Sequence, residues 1–263
     1  METLPLSRTG KTAHEVAVRA IEETGDIVVR CFSGERTIEW KPGRANIVTD
    51  ADLLAEKTII GILQNEYPDW AILSEESGAS GTDSRYTWVI DPIDGTSNYT
   101  FGIPLFCIAL ALMDGETCVL GLTYDPIRKE LFHAEQGKGA FMNHTPIKVS
   151  QRNSVLSAFI GCDLGYDSNA GRKSLDVIDK LWPDIHGIRI MGSAALGLAY
   201  VACGRFDIYF HSFLYSWDCA GGILLVTEAG GKVTGWNGVA ATFKNDKIVA
   251  TNKAVHKEFM GFL

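Results

Sequence analysis

Asp91 and Asp94 stand three residues apart in the stretch WVIDPIDGTSNYTFG, residues 88–102. The apolar run TWVI leads into them, and a glycine and two hydroxyl residues follow. Two carboxylates placed this close repel one another unless a cation lies between them, or unless they are ordinary turn residues facing water. A Pro, a Gly and three oxygen side chains within the six residues DPIDGT exceed what a plain turn requires. Other acids recur at expected element ends: Asp50 and Asp52 opening a helix, Glu75 and Glu76 closing a strand, and Asp218 opening another helix. Strand ends and helix starts are where α/β sites gather. An oxygen-only ligand set suits Mg²⁺, Mn²⁺ or Ca²⁺ rather than Zn²⁺. An EF-hand loop is excluded, because its second and third ligand positions would fall on Ile93 and Gly95. A two-metal phosphoryl site fits better, with paired cations clamping a phosphate and activating water. Gly95 and Thr96 would offer backbone N–H groups to an anion at a helix start. The Thr96 hydroxyl, with a carboxylate behind it, could orient the attacking water.

The elements that must position these groups follow from periodicity. Residues 12–32 carry apolar side chains at helical spacing, with Gly25 expected to bend or weaken that helix. A polar segment, 33–46, reads as a loop or ragged hairpin. Residues 50–68 form a second amphipathic helix, opened by acids that suit its dipole and closed at Pro68. WAILSEES (70–77) is a strand. TWVIDPI, FCIALALMDG, ETCVLGLTYDP and KELFHAEQG follow as a strand meander, with turns at Asp114-Gly115 and Asp125-Pro126. PIKVS, SAFIGCD, GIRIMG, FDIYFH and KIVATN are further strands. Helices are expected over 170–183, 193–204 (with Ser193 as N-cap) and 217–231. Strands and helices alternate in the second half, so the fold class is α/β, with sheets layered between helices.

Composition sets the outer bounds. The chain has 263 residues, 46% of them hydrophobic and 21% charged, enough for one large domain with a sizeable core. The formal net charge of −8 and the scattered Lys and Arg argue against a nucleic-acid surface. The longest apolar stretch, 105–113, is about half the ~20 residues of a spanning helix. The opening METLPLSRTGK lacks an apolar signal core, so a cytoplasmic protein is expected. The six cysteines show no metal-type spacing and read as buried reduced thiols.

Three motifs in order, LSEES, WVIDPIDGTSNYTFGIP and WDCAG, together with NIVTDAD upstream, resemble the inositol monophosphatase family over nearly the whole chain. The resemblance implies Mg²⁺-dependent, lithium-sensitive phosphomonoesterase activity. It also implies a five-layer αβαβα sandwich and a homodimer, in one domain over residues 1–263. Its approximate halves would be a metal- and phosphate-binding part (1–150) and a substrate-side part (151–263). Carried over residue by residue, Glu75, Asp91 and the Ile93 carbonyl would hold a first Mg²⁺, and Asp91, Asp94 and Asp218 a second. Glu75 would help place a looser third ion, with Mn²⁺ as a possible replacement metal, and Glu76 would stand behind this set. Asp52 and Thr96 would activate the nucleophilic water. Ile93, Asp94, Gly95, Thr96 and Asp218 would meet the phosphate side of the substrate, and Gly192, Ser193 and Ala194 its alcohol side. Lys41 falls on a lysine of a mobile loop near the metals.

One position departs from the pattern. Inositol-specific members carry a glutamate seven residues before the WD aspartate, and His211 stands there instead. An imidazole is not a bidentate anionic acceptor, so the inositol preference is the feature in question. Inositol 1-phosphate, fructose 1,6-bisphosphate, histidinol phosphate and 3′-phosphoadenosine 5′-phosphate are all candidate substrates. A non-catalytic cation sensor is the rival from another class. It would be marked by loss of Asp52 or Thr96, and both are present.

Overall fold

The computed structural model describes residues 4–34, 38–40, 47–81 and 84–263. Two helices open the chain, α1 (Ala13–Phe32) and α2 (Asp50–Glu66), with a short antiparallel pair, β1 (Ile38–Trp40) and β2 (Ile47–Thr49), between them. Both helices start on a capping box, Thr12 with Glu15 and Thr49 with Asp52, so two of the free N–H groups at each start are satisfied by its own side chains. The strands β3 (Ala71–Ser74), β4 (Gly78–Ser80) and β5 (Tyr86–Asp94) follow, then the one-turn helix α3 (Thr96–Thr100). The meander is β6 (Cys107–Asp114), β7 (Thr117–Asp125), β8 (Glu130–Glu135), β9 (Ala140–Met142) and β10 (Thr145–Ile147). The second half contains β11 (Phe159–Asp163), α4 (Ser168–Leu181), β12 (Gly187–Ile190), α5 (Ala194–Ala202), β13 (Ile208–His211), α6 (Ser216–Glu228), β14 (Lys232–Thr234), β15 (Ile248–Thr251) and α7 (His256–Phe259).

These elements stack in layers. An eight-stranded sheet runs β10-β9-β8-β7-β6-β5-β3-β4, antiparallel except for the β3–β5 pair. A five-stranded sheet runs β12-β11-β13-β15-β14, with β11 parallel to both β12 and β13. α1 and α2 cover one face of the large sheet through Val16, Ala20, Ile21, Val28, Ile59 and Leu63. α5 and α6 lie between the two sheets. Their sequences AALGLAYVA and GGILLV are apolar nearly all round, as a helix with both sides covered must be. α4 packs on the outer side of the small sheet. The order is helix, sheet, helix, sheet, helix, the layered α/β sandwich expected from the resemblance.

Glycine permits two of the closest approaches. A Cβ on Gly121 of β7 would lie 2.6 Å from the Gly221 carbonyl oxygen of α6, so helix and sheet touch backbone to backbone. A Cβ on Gly25 would lie 2.5 Å from the Tyr124 ring. Contrary to the expectation of a bend, α1 runs unbroken through Gly25, and the missing side chain serves contact with β7. Other elements were not anticipated. β4, β9 and β14 have three residues each, too short to show alternation, and the strand expected over PIKVS stops at Ile147. Of the six cysteines, all free, Cys31, Cys118 and Cys203 are only partly buried, because each lies near an element end.

Candidate active site

The arrangement begins with a bulge. In a regular strand, residues three apart point to opposite faces. Between Asp91 and Asp94, β5 spends three steps while its partner β6 spends two, from Ala109 to Cys107. The extra residue brings Asp94 round to the side of Asp91, and Pro92 suits the break because it has no N–H to offer the ladder. Bulges beside active sites commonly re-aim side chains in this way. Gly95 then turns the chain at φ 100°, where a Cβ would lie 2.9 Å from the Gly192 carbonyl.

The carboxylates of Asp91, Asp94 and Asp218 each bring an oxygen to within 4.8 Å of the others. Asp91 is only 2% exposed, and its Oδ1 accepts from Ile93 N at 3.1 Å. Burial, then the charges of Glu75, Asp94, Asp218 and Asp52, hold its pKa well above the ordinary carboxylate value. Asp94 is also raised, by burial first, although four donors oppose that. Its Oδ2 accepts from Ser193 Oγ (2.6 Å), Ala195 N (2.8 Å) and Cys107 Sγ (3.4 Å), and its Oδ1 from Ala194 N (3.1 Å). The start of α5 is therefore turned onto Asp94, and Ser193 spends its hydroxyl there rather than capping its own helix. Asp218 is the third residue of α6, and its Oδ2 accepts from Tyr215 N at 2.7 Å. Burial, then the charge of Asp94, raises it too. Glu75 follows β3, with its N–H donated to Ile90 O of β5, and bears on the cluster through its charge on Asp91 and Asp218.

This donor set fits hard divalent cations. It consists only of oxygens, and burial first, then the charges of neighbouring carboxylates, raises Asp91 and Asp218. The Ile93 carbonyl lies beside it and accepts from Thr96 Oγ1 at 2.9 Å. Thr96 Oγ1 also lies 3.2 Å from Asp52 Oδ1. The other oxygen of Asp52 accepts from Thr49 N (2.7 Å) and Thr49 Oγ1 (2.5 Å) in the α2 capping box. Burial, outweighing these bonds, pushes the Asp52 pKa up to about 6.

A cavity of about 260 Å³ opens over the cluster. Its walls include Asp94, Gly95, Gly192, Ser193, Ala194, His211 and Asp218 from the sequence expectations. Sequence reasoning missed Asp163, Tyr166 and Phe213, which line it as well. Asp163 ends β11 as Asp94 ends β5, and that strand-end position was the available signal. Glu56, one turn beyond Asp52 on α2, was also missed: its Oε1 accepts from Ser77 N and Ser77 Oγ, both at 3.1 Å, bracing the loop that carries Glu75. Lys41 lies outside the described residues. A larger hollow of about 550 Å³ between α1 and α2 shares no residue with the cluster.

His211 is 5% exposed, and burial pushes its pKa down to about 3. Its Nδ1 accepts from Phe213 N at 3.0 Å. The ring is therefore neutral, which removes the charged form that would attract a second phosphate.

The family model described as "Inositol monophosphatase family" matches residues 11–261. An inositol-1-monophosphatase of Mesorhizobium japonicum is 36% identical, covering 93% of each chain. The Nus factor SuhB of Xylella fastidiosa is 38% identical, covering 90% of this chain and 86% of that one. Among solved structures, the suhB extragenic suppressor protein of Bartonella henselae superposes with a TM-score of 0.91 at 36% identity, over 95% of this chain and 97% of that one. The IMPase of Thermotoga maritima superposes at 0.88 with 31% identity, over 95% of both chains. The family model and these relatives each span most of the chain, and the chain belongs to the inositol monophosphatase family of phosphoric monoester hydrolases.

Proposed function

We propose that this protein is a Mg²⁺-dependent phosphomonoesterase acting on a small phosphorylated alcohol or sugar, of the inositol 1-phosphate type in size and charge. The observation that carries the reading is the convergence of three carboxylates within 4.8 Å beside the Asp52–Thr96 pair. Glu75, Asp91, the Ile93 carbonyl, Asp94 and Asp218 would hold two Mg²⁺ ions, with a third, looser ion near Glu75. Bound there, the metal would supply Lewis-acid charge neutralisation at the phosphoryl group and the leaving oxygen.

The chain's own residues do the rest. Thr96 Oγ1 has one hydrogen and two acceptors, Ile93 O and Asp52 Oδ1. With that hydrogen directed to Asp52, an Oγ1 lone pair is free to accept a proton from the attacking water. Asp52, raised toward neutrality by burial, is suited to take up the relayed proton at Oδ1. Gly95 lets the backbone come close to the phosphate. Thr49 fixes the carboxylate of Asp52, so that its free oxygen faces Thr96. Gly192, Ser193 and Ala194 would line the alcohol side, Ser193 and Ala194 while holding Asp94.

The test is inorganic phosphate release from a panel of monoesters, with Mg²⁺, with Mn²⁺ and with chelator, and with Li⁺ added as inhibitor. Metal-dependent release supports the reading, and release that persists in chelator refutes it. The relatives named Nus factor SuhB raise a non-catalytic role, but here the intact Asp52–Thr96 pair favours hydrolysis. Homodimer formation and cytoplasmic residence belong to the same proposal. Sedimentation and cell fractionation test them. Among the described residues, no helix is long and apolar enough to cross a membrane.

A further inference from the structure

Away from the carboxylate cluster, two imidazoles from different layers meet. His14 lies in the first turn of α1 and His133 on β8, 119 positions apart, yet His14 Nε2 stands 3.1 Å from His133 Nδ1. The ring centroids are 4.8 Å apart, with the planes tilted by 49°. The protons of this pair can be placed. Asn143 O is a carbonyl and only accepts, so His133 Nε2, 2.8 Å away, carries a hydrogen. In the neutral ring Nδ1 is then bare, and it accepts from the Nε2–H of His14. Burial first, then the proximity of His133, lowers the pKa of His14, with Lys138 acting in the same sense and Glu135 and Glu15 against it. Phe141, the register partner of His133 on β9, stacks on the His133 ring at 5.5 Å and steadies it.

Two neutral imidazoles held this way are also the start of a metal site. Zinc binds imidazole nitrogen at ~2.0–2.1 Å, so two nitrogens on a tetrahedral ion lie about 3.3 Å apart. The observed 3.1 Å needs almost no change in separation. Each ring turns by about 35° for its lone pair to meet the other at a common ion. His14 moves its hydrogen from Nε2 to Nδ1, while His133 keeps its own on Asn143 O. Such a backbone carbonyl behind a ring is the outer partner that fixes tautomer and orientation in metal-bound histidines. Glu135 offers an oxygen ligand. It follows His133 by two residues on β8, and side chains two apart share a face. Its charge already acts on His14. Its present partner is Lys138 Nζ at 2.6 Å, in a pair exposed enough to exchange at little cost.

We propose that His14, His133 and Glu135 form a binding site for a divalent transition-metal ion, zinc foremost, which clamps the start of α1 to the large sheet. Donor type separates this site from the carboxylate cluster. Imidazole nitrogen suits Zn²⁺, Cu²⁺ and Ni²⁺, whereas an oxygen-only set suits Mg²⁺. The two sites share no residue, and the inference does not depend on the phosphatase reading.

The experiment titrates Zn²⁺ by calorimetry into Asp91→Asn, which disables the carboxylate cluster. The same titration is run with His14→Gln, His133→Gln, Glu135→Gln or Lys138→Ala added. One Zn²⁺ per chain is expected in the Asp91→Asn background, with no matching Mg²⁺ binding. Each histidine variant and Glu135→Gln should weaken Zn²⁺ by at least ~10-fold, since even outer partners of metal ligands act on that scale. Lys138→Ala, which frees Glu135, should tighten it by ~2–5-fold. A hundredfold excess of Zn²⁺ over Kd should raise Tm by roughly 5–10 °C, and only while both histidines are present. In the unaltered chain with saturating Mg²⁺, nitrogen-15 spectra of labelled histidine should show Zn²⁺ moving the His14 hydrogen from Nε2 to Nδ1 and shifting His133 Nδ1. Zn²⁺ bound equally well by both histidine variants, or a His14 tautomer unmoved at saturating Zn²⁺, overturns the proposal. The spectroscopic arm needs no substitution, so it decides even where a variant fails to fold.

Discussion

Replacing Asp91 with Asn separates the needs of the fold from those of the chemistry. Asn keeps the shape and can still accept from Ile93 N, as the Asp91 carboxylate does. What it removes is a charge whose neighbours in Asp94 and Asp218 lie within 4.8 Å. At an effective dielectric of ~20, each such pair repels by about 3.5 kcal/mol. The aspartate can escape by keeping a proton, but holding it at pH 8 against an ordinary value of 3.8 costs about 5.7 kcal/mol. Either route penalises the metal-free fold, and water entering the cavity softens both, leaving roughly 3 kcal/mol for Asn to recover. In chelator at pH 8, Asp91→Asn should therefore melt roughly 6–12 °C higher than wild type. Saturating Mg²⁺ should raise the wild-type Tm, by about 2.7 kcal/mol of stability at a hundredfold excess over Kd, and leave the variant unmoved. Turnover by the variant should be lost. Differential scanning fluorimetry in EDTA and in a Mg²⁺ series reads both effects. A variant less stable than wild type in EDTA, or one that gains as much from Mg²⁺, would refute the assignment of these carboxylates to a cation.

Three further outcomes are expected. Thr96→Ala should lower kcat by ~10²–10⁴-fold while the Mg²⁺-induced rise in Tm persists, because the hydroxyl serves the water rather than the cation. Glu56→Ala should weaken Mg²⁺ affinity ~10–100-fold by releasing Ser77 and the loop bearing Glu75, with Glu56→Gln closer to wild type; calorimetric titration with Mg²⁺ distinguishes this from simple destabilisation. Burial, aided by Lys232, pushes His256 down to about 4, so the unfolded chain binds the extra proton between pH 6.5 and 4. Stability is then complete above pH 6.5 and is lost on acidification, and urea titrations at pH 7.5 and 5 should show His256→Asn losing roughly 1 kcal/mol less than wild type.

The sequence was most legible where chemistry and geometry share a short segment. Asp91, Pro92, Asp94, Gly95 and Thr96 lie within six residues, and the bulge that gathers them is written in the same letters. Long helices were legible too, since α1 and α2 repeat their apolar face over four or five turns. The alcohol side was not. Asp163 and His211 are 48 positions apart and become neighbours only because β11 pairs with β13, a choice made by the whole sheet. Glu56 reads as one more acid on a solvent-facing helix until the loop after β3 is seen lying against it. Likewise, the helix-weakening signal of Gly25 was outweighed by its packing against Tyr124.

The contact between Gly121 and Gly221 bears on how this enzyme can change. Asp218 stands three residues before Gly221, on the stretch of α6 whose distance from β7 is set by backbone alone. No rotamer there can adjust, so the placement of Asp218 is insulated from drift in the surrounding core and from substitutions at the cavity rim. The same rigidity concentrates the risk: one added methyl group at Gly121, 2.6 Å from the Gly221 carbonyl oxygen, would push on the helix that carries an acidic side chain it never touches. Evolution and engineering are thus free to remodel the alcohol pocket, as the histidine at 211 illustrates, while the hydrolytic centre leaves little room for variation at Gly121, a residue that carries no chemistry of its own.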